Sequence, residues 1–228
     1  TTGVVTVAGA INREVDGASR SITVRATSSD GSYTDQVFSI GINDVDEFDV
    51  GSVTDTNATS NNVNENASVG TVVGITAAAS DADSTNNTIT YSLFDNDGGR
   101  FAIDSTTGVV TVASAINREA DGASRSITVR ATSSDGSHTD QIFSIAINDV
   151  DEFDVGSVTD TNATSNNVNE NANVGTLVGI TASASDADST NNTITYSLFD
   201  NDGGRFAIDS TTGVVTVSSA INREVDGA

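Results

Sequence analysis

The chain has no cysteine, proline, methionine or tryptophan, and its nine basic residues are all arginine. Without cysteine there is no disulfide framework and no thiolate metal site. Without lysine, with one histidine and a formal charge of −23, there is no clustered basic surface for phosphate, which excludes a nucleic-acid partner. The same inventory removes the usual catalytic nucleophile–base pairs: His138 is Tyr33 in the preceding copy, and no nucleophile elbow occurs. Aromatic residues make up only 5% of the chain and mostly fall at core parity, so no exposed stacking platform for sugars is evident. No apolar run reaches 18 residues, so direct membrane insertion is not expected.

What is present repeats. Thr-Thr-Gly-Val-Val-Thr-Val occurs at Thr1, Thr106 and Thr211, a period of 105 residues, and residues 1–123 differ from 106–228 at ten positions. That period is the size of one small domain. The organisation read from it is the C-terminal part of a repeat over 1–48, a complete repeat over 49–153 and the N-terminal part of a third over 154–228. The outer fragments are complementary, apart from an overlap of residues 1–18 with 211–228. The chain therefore reads as a window on a continuous rod, or as a unit whose tail is completed by the head of another chain.

Apolar residues alternate with polar ones along the repeat. Examples are Val73, Ile75 and Ala77; Ile89, Tyr91 and Leu93; Val110 and Val112; Ile127, Val129 and Ala131; and Phe143, Ile145 and Ile147. This period of two predicts strands, and no segment carries a helical period. Seven short strands separated by Gly, Asn, Asp and Ser clusters predict an all-β sandwich. If strands A to G reverse direction at every connection, Glu65, Glu119, Asp149, Asp151 and Glu152 fall at one pole. Asp81, Asp83 and Asp135 fall at the other. Eight of the fifteen acids in residues 49–153 then meet where repeats stack head to tail. Two unit charges about 4 Å apart repel by roughly 4 kcal/mol at an effective dielectric near 20. Such junctions call for a hard cation with oxygen ligands, and Ca²⁺ accepts irregular oxygen cages more readily than Mg²⁺.

A series of motifs, in order, resembles the cadherin repeat, in its bacterial cadherin-like form. Asn64-Glu65-Asn66-Ala67 resembles the early glutamate motif. Asp81-Ala82-Asp83 resembles the Asp-Ala-Asp loop, and Asn117-Arg118-Glu119 the Asp-Arg-Glu motif. Ala131 to Asp135 resembles the Ala-x-Asp strand end, and Asp149-Val150-Asp151-Glu152 a shortened closing linker. The resemblance covers the whole period. It implies tandem seven-stranded Greek-key sandwiches arranged head to tail, with two to three calcium ions per junction. At the later junction it implies ligation by Glu65, Glu119, Asp149, the carbonyl of Val150, Asp151 and Glu152. The next repeat adds Asp186, Asp188 and Asn192, the choice within Asn191–Asn192. At the earlier junction it implies Glu14, Asp44, Val45, Asp46 and Glu47, facing Asp81, Asp83, Asn87 (within Asn86–Asn87) and Asp135. Asn12 and Asn117 stand where the family pattern has Asp, and Asp151 where it has Asn.

The implied function is a calcium-rigidified spacer in a large repetitive surface adhesin of the RTX type, extracellular and without enzymatic activity. Its partners are calcium ions and neighbouring repeats, or half-domains of other chains. The rivals are repeats that themselves mediate homophilic or carbohydrate adhesion, and a self-assembling filament subunit. Asp95-Asn96-Asp97-Gly98-Gly99 lacks the closing glutamate of a calcium loop and reads as a tight turn.

Overall fold

The structure is a computed structural model that describes residues 3–226. Thr1 and Thr2, which open the first copy of the heptapeptide, lie outside the described residues. The chain divides into two compact units. One comprises the chain up to Ile116 together with Ala123–Ile147; the other comprises Asn117–Gly122 with the chain from Asn148 onward.

The first unit begins with a helical turn α1 (Arg13–Asp16) and an antiparallel hairpin, β1 (Ser19–Thr27) and β2 (Tyr33–Gly41), in register from Ser19↔Gly41 to Thr27↔Tyr33. Eight further strands follow: β3 (Thr54–Asp55), β4 (Asn62–Asn64), β5 (Val72–Ala78), β6 (Ile89–Asp95), β7 (Phe101–Ile103), β8 (Val109–Val112), β9 (Ser124–Ser133) and β10 (His138–Asn148). They build two four-stranded sheets, ordered β3-β5-β8-β7 and β4-β10-β9-β6. This is the expected β-sandwich, with the first strand split into β3 and β4 so that each sheet receives a piece.

The alternation seen in the sequence becomes the inward face. Val73, Ile75, Phe101, Val110 and Val112 come from one sheet and Ile127, Val129, Ala131, Ile145 and Ile147 from the other; all are buried in one core. Two glycines make close approaches that no other residue fits. At Gly74 (φ +90°), where the β5–β8 register shifts, a Cβ would lie 2.4 Å from the Ser60 carbonyl. At Gly108 (φ +69°), in the Thr-Thr-Gly turn, it would lie 2.2 Å from that of Ala77. Tyr91 on β6 ties the two sheets together by accepting the Ala79 N–H at 3.0 Å.

The second unit holds α2 (Arg118–Asp121), β11 (Thr159–Asp160), β12 (Leu177–Ser183), β13 (Phe206–Ile208), β14 (Val214–Val217) and α3 (Arg223–Asp226). Its sheet, β11-β12-β14-β13, repeats β3-β5-β8-β7, and its core is the small cluster Val178, Val215 and Val217. Three sequence expectations differ here. Residues 4–7 repeat the β8 sequence, residues 167–169 repeat β4 and residues 194–200 repeat β6, yet none of the three is a strand. Each lacks its pairing partner among the described residues, and an unpaired strand leaves its backbone groups to water. The helical turns are four residues each, too short to leave a period in the sequence. Among the described residues no helix is long and apolar enough to cross a membrane.

Candidate metal centre

Each acidic junction starts from a self-capped helical turn. Asn12 accepts the Val15 N–H at 2.9 Å through Oδ1, while Asp16 accepts the Asn12 N–H at 2.9 Å. Asn117 and Asp121 repeat this reciprocal cap around α2, at 2.7 and 3.0 Å. The asparagine that departs from the family pattern therefore serves as a helix cap.

In the first unit the cap aims Arg13 and Glu14 at the segment after β2 and at the loop between β5 and β6. Arg13 Nε lies 3.4 Å from Asp44 Oδ1. The Ser84 hydroxyl lies 2.9 Å from both Glu14 Oε1 and Asp44 Oδ1. The Thr85 N–H donates to Asp44 Oδ2 at 3.1 Å, and its hydroxyl binds the same oxygen. Asp83 is only 2% exposed and accepts the N–H groups of Glu47 at 3.3 Å and Phe48 at 3.2 Å. Asp81 accepts the Asp83 N–H at 3.1 Å, and Asn87 closes the loop by donating to the Asp83 carbonyl at 2.6 Å. Asp135, in the β9–β10 turn, is fixed by the Ser137 N–H at 2.6 Å. Asp46, Asp83 and Asp135 thereby bring carboxylate oxygens within 4.8 Å of one another.

The charges feel this crowding. Burial, then the contact with Asp83 and repulsion from Asp135, Asp83 and Asp81, push the Asp46 carboxyl above its ordinary range. Glu47 is pushed up in the same way, by burial and then by Glu14. Asp44 is held low, chiefly by the Thr85 hydroxyl, and Asp81 chiefly by that of Ser133. Asp44 and Asp81 are thus anchored by hydrogen-bond donors, while Asp46 and Glu47 carry the repulsion.

The second unit reproduces the arrangement. Asp149 Oδ1 lies 2.5 Å from the Ser189 hydroxyl and 3.5 Å from Arg118 Nε, and the Thr190 hydroxyl binds Oδ2. Glu119 accepts the Ser189 N–H at 3.1 Å. Asp188, 2% exposed, accepts the N–H groups of Glu152 at 3.2 Å and Phe153 at 3.4 Å. Asp186 accepts the Asp188 N–H at 3.2 Å, and Asn192 donates to the Asp188 carbonyl at 2.8 Å. Asp149 is held low, first by Ser189 and then by Thr190. Asp151 is pushed up, first by its contact with Asp188 and then by the charges of Asp188 and Asp186.

The remaining expected residues fall as follows. Glu65 is buried just after β4. Val45 exposes its side chain, so only its backbone could serve an ion. Val150 lies between Asp149 and Asp151 on the segment after β10. The Asp95–Gly99 segment is a turn: Asp95 accepts the Asp97 N–H at 2.9 Å, and Arg125 Nε binds Asp97 at 2.6 Å. Sequence reasoning missed Ser84, Thr85, Ser189 and Thr190. Their signal was a hydroxyl pair directly after each Asp-Ala-Asp.

Whether this donor set suits a metal is decided by its unsatisfied atoms. Glu14 Oε2, Asp81 Oδ2 and Asp188 Oδ2 are shielded from solvent yet face no hydrogen-bond donor among the described residues. Buried carboxylate oxygens without a donor are costly unless a cation approaches them. The donors are oxygens throughout, which fits a hard divalent ion with six to eight ligands, as Ca²⁺ takes.

Comparison with known proteins agrees in fold and family. The cadherin domain family model matches residues 59–148 and 164–228. Human Protocadherin Fat 4 is 35% identical over 163 residues, covering 70% of this chain and 3% of that protein. Human Cadherin-18 is 32% identical over 178 residues, covering 71% of this chain and 22% of that protein. This chain therefore spans only a small part of either relative. Among solved structures, mouse Cadherin-23 EC22-24 superposes with a TM-score of 0.72 at 27% identity, over 94% of this chain and 68% of that one. Protocadherin Gamma B2 extracellular cadherin domains 1-5 share the fold with a TM-score of 0.74 at 21% identity, over 94% of this chain and 41% of that one.

Proposed function

The chain belongs to the cadherin domain family, and from that premise we propose that it is a run of calcium-stiffened spacer repeats from a bacterial surface adhesin. Cadherin domains are extracellular adhesion modules, without enzymatic activity, that bind calcium at their repeat junctions. The repeats proposed here divide at 48/49 and 153/154. The earlier junction is proposed to ligate through Glu14, Asp44, the Val45 carbonyl, Asp46, Glu47, Asp81, Asp83, Asn87 and Asp135. The later one is proposed to ligate through Glu65, Glu119, Asp149, the Val150 carbonyl, Asp151, Glu152, Asp186, Asp188 and Asn192, with two to three ions at each.

The observation that carries this reading is the convergence of Asp46, Asp83 and Asp135 within 4.8 Å, beside buried oxygens of Glu14 and Asp81 that face no donor. Calcium would supply the positive charge that these carboxylates lack, and so join the segment after one hairpin to the loops of the next sandwich. Arg13 and Arg118, with the Ser84/Thr85 and Ser189/Thr190 hydroxyls, hold Asp44 and Asp149 ready for it. Extracellular calcium modules work at roughly 0.1–1 mM, so the spacer would be stiff outside the cell and loose where calcium is scarce. Absence of cysteine and the short Asp-Val-Asp-Glu linker support a bacterial surface protein, which crosses a narrow secretion channel unfolded.

The test is calcium titration with thermal melting and small-angle scattering, on the wild type and on Asp149→Ala combined with Asp186→Ala. Calcium should raise the melting temperature and lengthen the particle, and the double variant should lose part of both effects. A chain whose melting and length ignore chelation would overturn the proposal.

A further inference from the structure

The loop between β3 and β4 carries the chain from one sheet of the complete sandwich to the other, and it is held in place from both sides. Asp55 Oδ1 accepts the Asn57 N–H at 2.9 Å and, from β5, the Thr76 N–H at 3.0 Å. Gly74 leaves the space in which the loop lies: a Cβ there would meet the Ser60 carbonyl at 2.4 Å and Thr59 Oγ1 at 3.2 Å. Within the loop, Asn57 Oδ1 accepts the Thr59 N–H at 3.0 Å and the Thr59 hydroxyl at 2.8 Å. Both bonds fall on the carboxamide oxygen, and Nδ2 donates to no group among the described residues. Asn57 is half-buried, while Ala58, Thr59 and Ser60 are exposed. The second unit repeats the arrangement. Asp160 accepts the Asn162 N–H at 2.9 Å and the Thr181 N–H at 3.0 Å, and Asn162 accepts the Thr164 N–H and hydroxyl at 3.0 and 2.8 Å.

Asn57-Ala58-Thr59 has the acceptor pattern for N-linked sugar. The pattern Asn-x-Ser/Thr also begins at Asn66, Asn86, Asn162 and Asn191, and geometry distinguishes among the five. In the tripeptide at Asn86, the Thr88 N–H donates to Ser134 Oγ at 3.3 Å and the Asn86 carbonyl accepts the Ser133 hydroxyl at 2.9 Å, which ties it to the β9–β10 turn. At Asn66, the Ala67 N–H turns back to the Asn64 carbonyl at 3.1 Å, and the corresponding Asn171-Ala172-Asn173 has lost the hydroxyl. We propose that Asn57 and Asn162 are acceptors for N-linked glycans. Two donors on the carboxamide oxygen stabilise the negative charge that develops there as Nδ2 gives up a proton. Nδ2 attacks the anomeric carbon of a sugar diphosphate, nucleotide- or lipid-linked. The C1–O bond breaks, its electron pair leaves with the diphosphate, and the Nδ2 proton passes to a base of the transferase. The sugar then stands beside β3, an edge strand of its sheet, and screens that edge from pairing with another chain. Each acceptor is built within one repeat, so the site stands apart from the calcium reading of the junctions.

The test uses the whole chain, a soluble transferase that recognises Asn-x-Ser/Thr, and UDP-glucose as donor, with peptide mass spectrometry to follow the hexose at each asparagine. Asn57 and Asn162 should gain it about tenfold faster than Asn86, which also has threonine in third place, because their side chains are already in position. Thr59→Ala, at an exposed position, should abolish transfer to Asn57 and leave Asn162 unchanged. Asp55→Ala keeps the tripeptide but loosens the turn. It should slow Asn57 by about tenfold, towards the Asn86 rate, again without affecting Asn162. A folded chain that takes no hexose at Asn57, equal rates at Asn57 and Asn86 in the wild type, or an Asn57 rate that ignores Asp55→Ala would each overturn the proposal.

Discussion

The hairpin β1–β2 and the hairpin β9–β10 have almost one sequence and two fates. Both pair in the same register and close on the same turn, and both carry the same ion pair. Arg25 and Asp35 meet at 2.8 Å through two bonds, as do Arg130 and Asp140. Their apolar faces differ: Val129 is fully buried, while Val24 is 40% exposed. The heptapeptide teaches the same lesson three times over. Val110 and Val215 sit in strands and are buried, whereas Val5 is in no strand and is 58% exposed. Local chemistry builds turns, caps and ion pairs wherever the sequence recurs. Strands outside a hairpin, and every buried face, depend on residues far away in the chain.

Cavity formation should separate the hairpins most sharply. Ile145→Ala should cost about 2–5 kcal/mol, because a packed core relaxes only partly around the lost volume. The matching Ile40→Ala should stay within about 0.5 kcal/mol, as surface substitutions do. Thermal unfolding followed by circular dichroism measures both. Equal losses would mean that the β1–β2 hairpin is covered after all.

The two junctions give the next comparison. Each ion at a hundredfold excess over its dissociation constant adds about 2.7 kcal/mol to the folded state. Asp83→Asn should abolish calcium binding at the earlier junction and spare the later one, and Asp188→Asn should do the reverse. Isothermal calorimetry would read each as a loss of one junction's ions, accompanied by a lower melting temperature in calcium. If either variant removed all binding, the junctions would not be independent copies.

The smallest effect concerns what the hairpins share. The Arg25 guanidinium holds the Asp35 carboxyl below its ordinary range, and Arg130 does the same to Asp140. A carboxylate with a depressed folded pKa contributes stability above its unfolded value and loses it as pH falls through the folded one. Carboxyl NMR titration should therefore find both aspartates titrating below the usual carboxylate range, by similar amounts, and Arg25→Gln or Arg130→Gln should restore each one separately. A shift seen at Asp140 alone would mean that the pair is held only in the packed sandwich, since burial itself raises a carboxyl pKa.

Much of the candidate carboxylate cluster was legible because its residues lie in short motifs on turns. Asp81-Ala82-Asp83 and Asp149-Val150-Asp151-Glu152 stand out by their resemblance to the family's motifs. Ser84 and Thr85 did not, because a hydroxyl becomes an anchor for Asp44 only once the loop meets the segment after β2. Asn117 stands where the family pattern has Asp, and its role as a cap depends on the four-residue turn that follows it.

The sequence by itself determined the period, the alternating strands and the acidic motifs, since the repeat is written in the residues and alternation and motifs depend on neighbours within a few residues. Tertiary structure decided which copies of those strands pair, which valines are buried, and which carboxylates approach one another. Backbone hydrogen bonds in a sheet and the burial of a face both require a second surface, and identical residues with and without that surface reach different states.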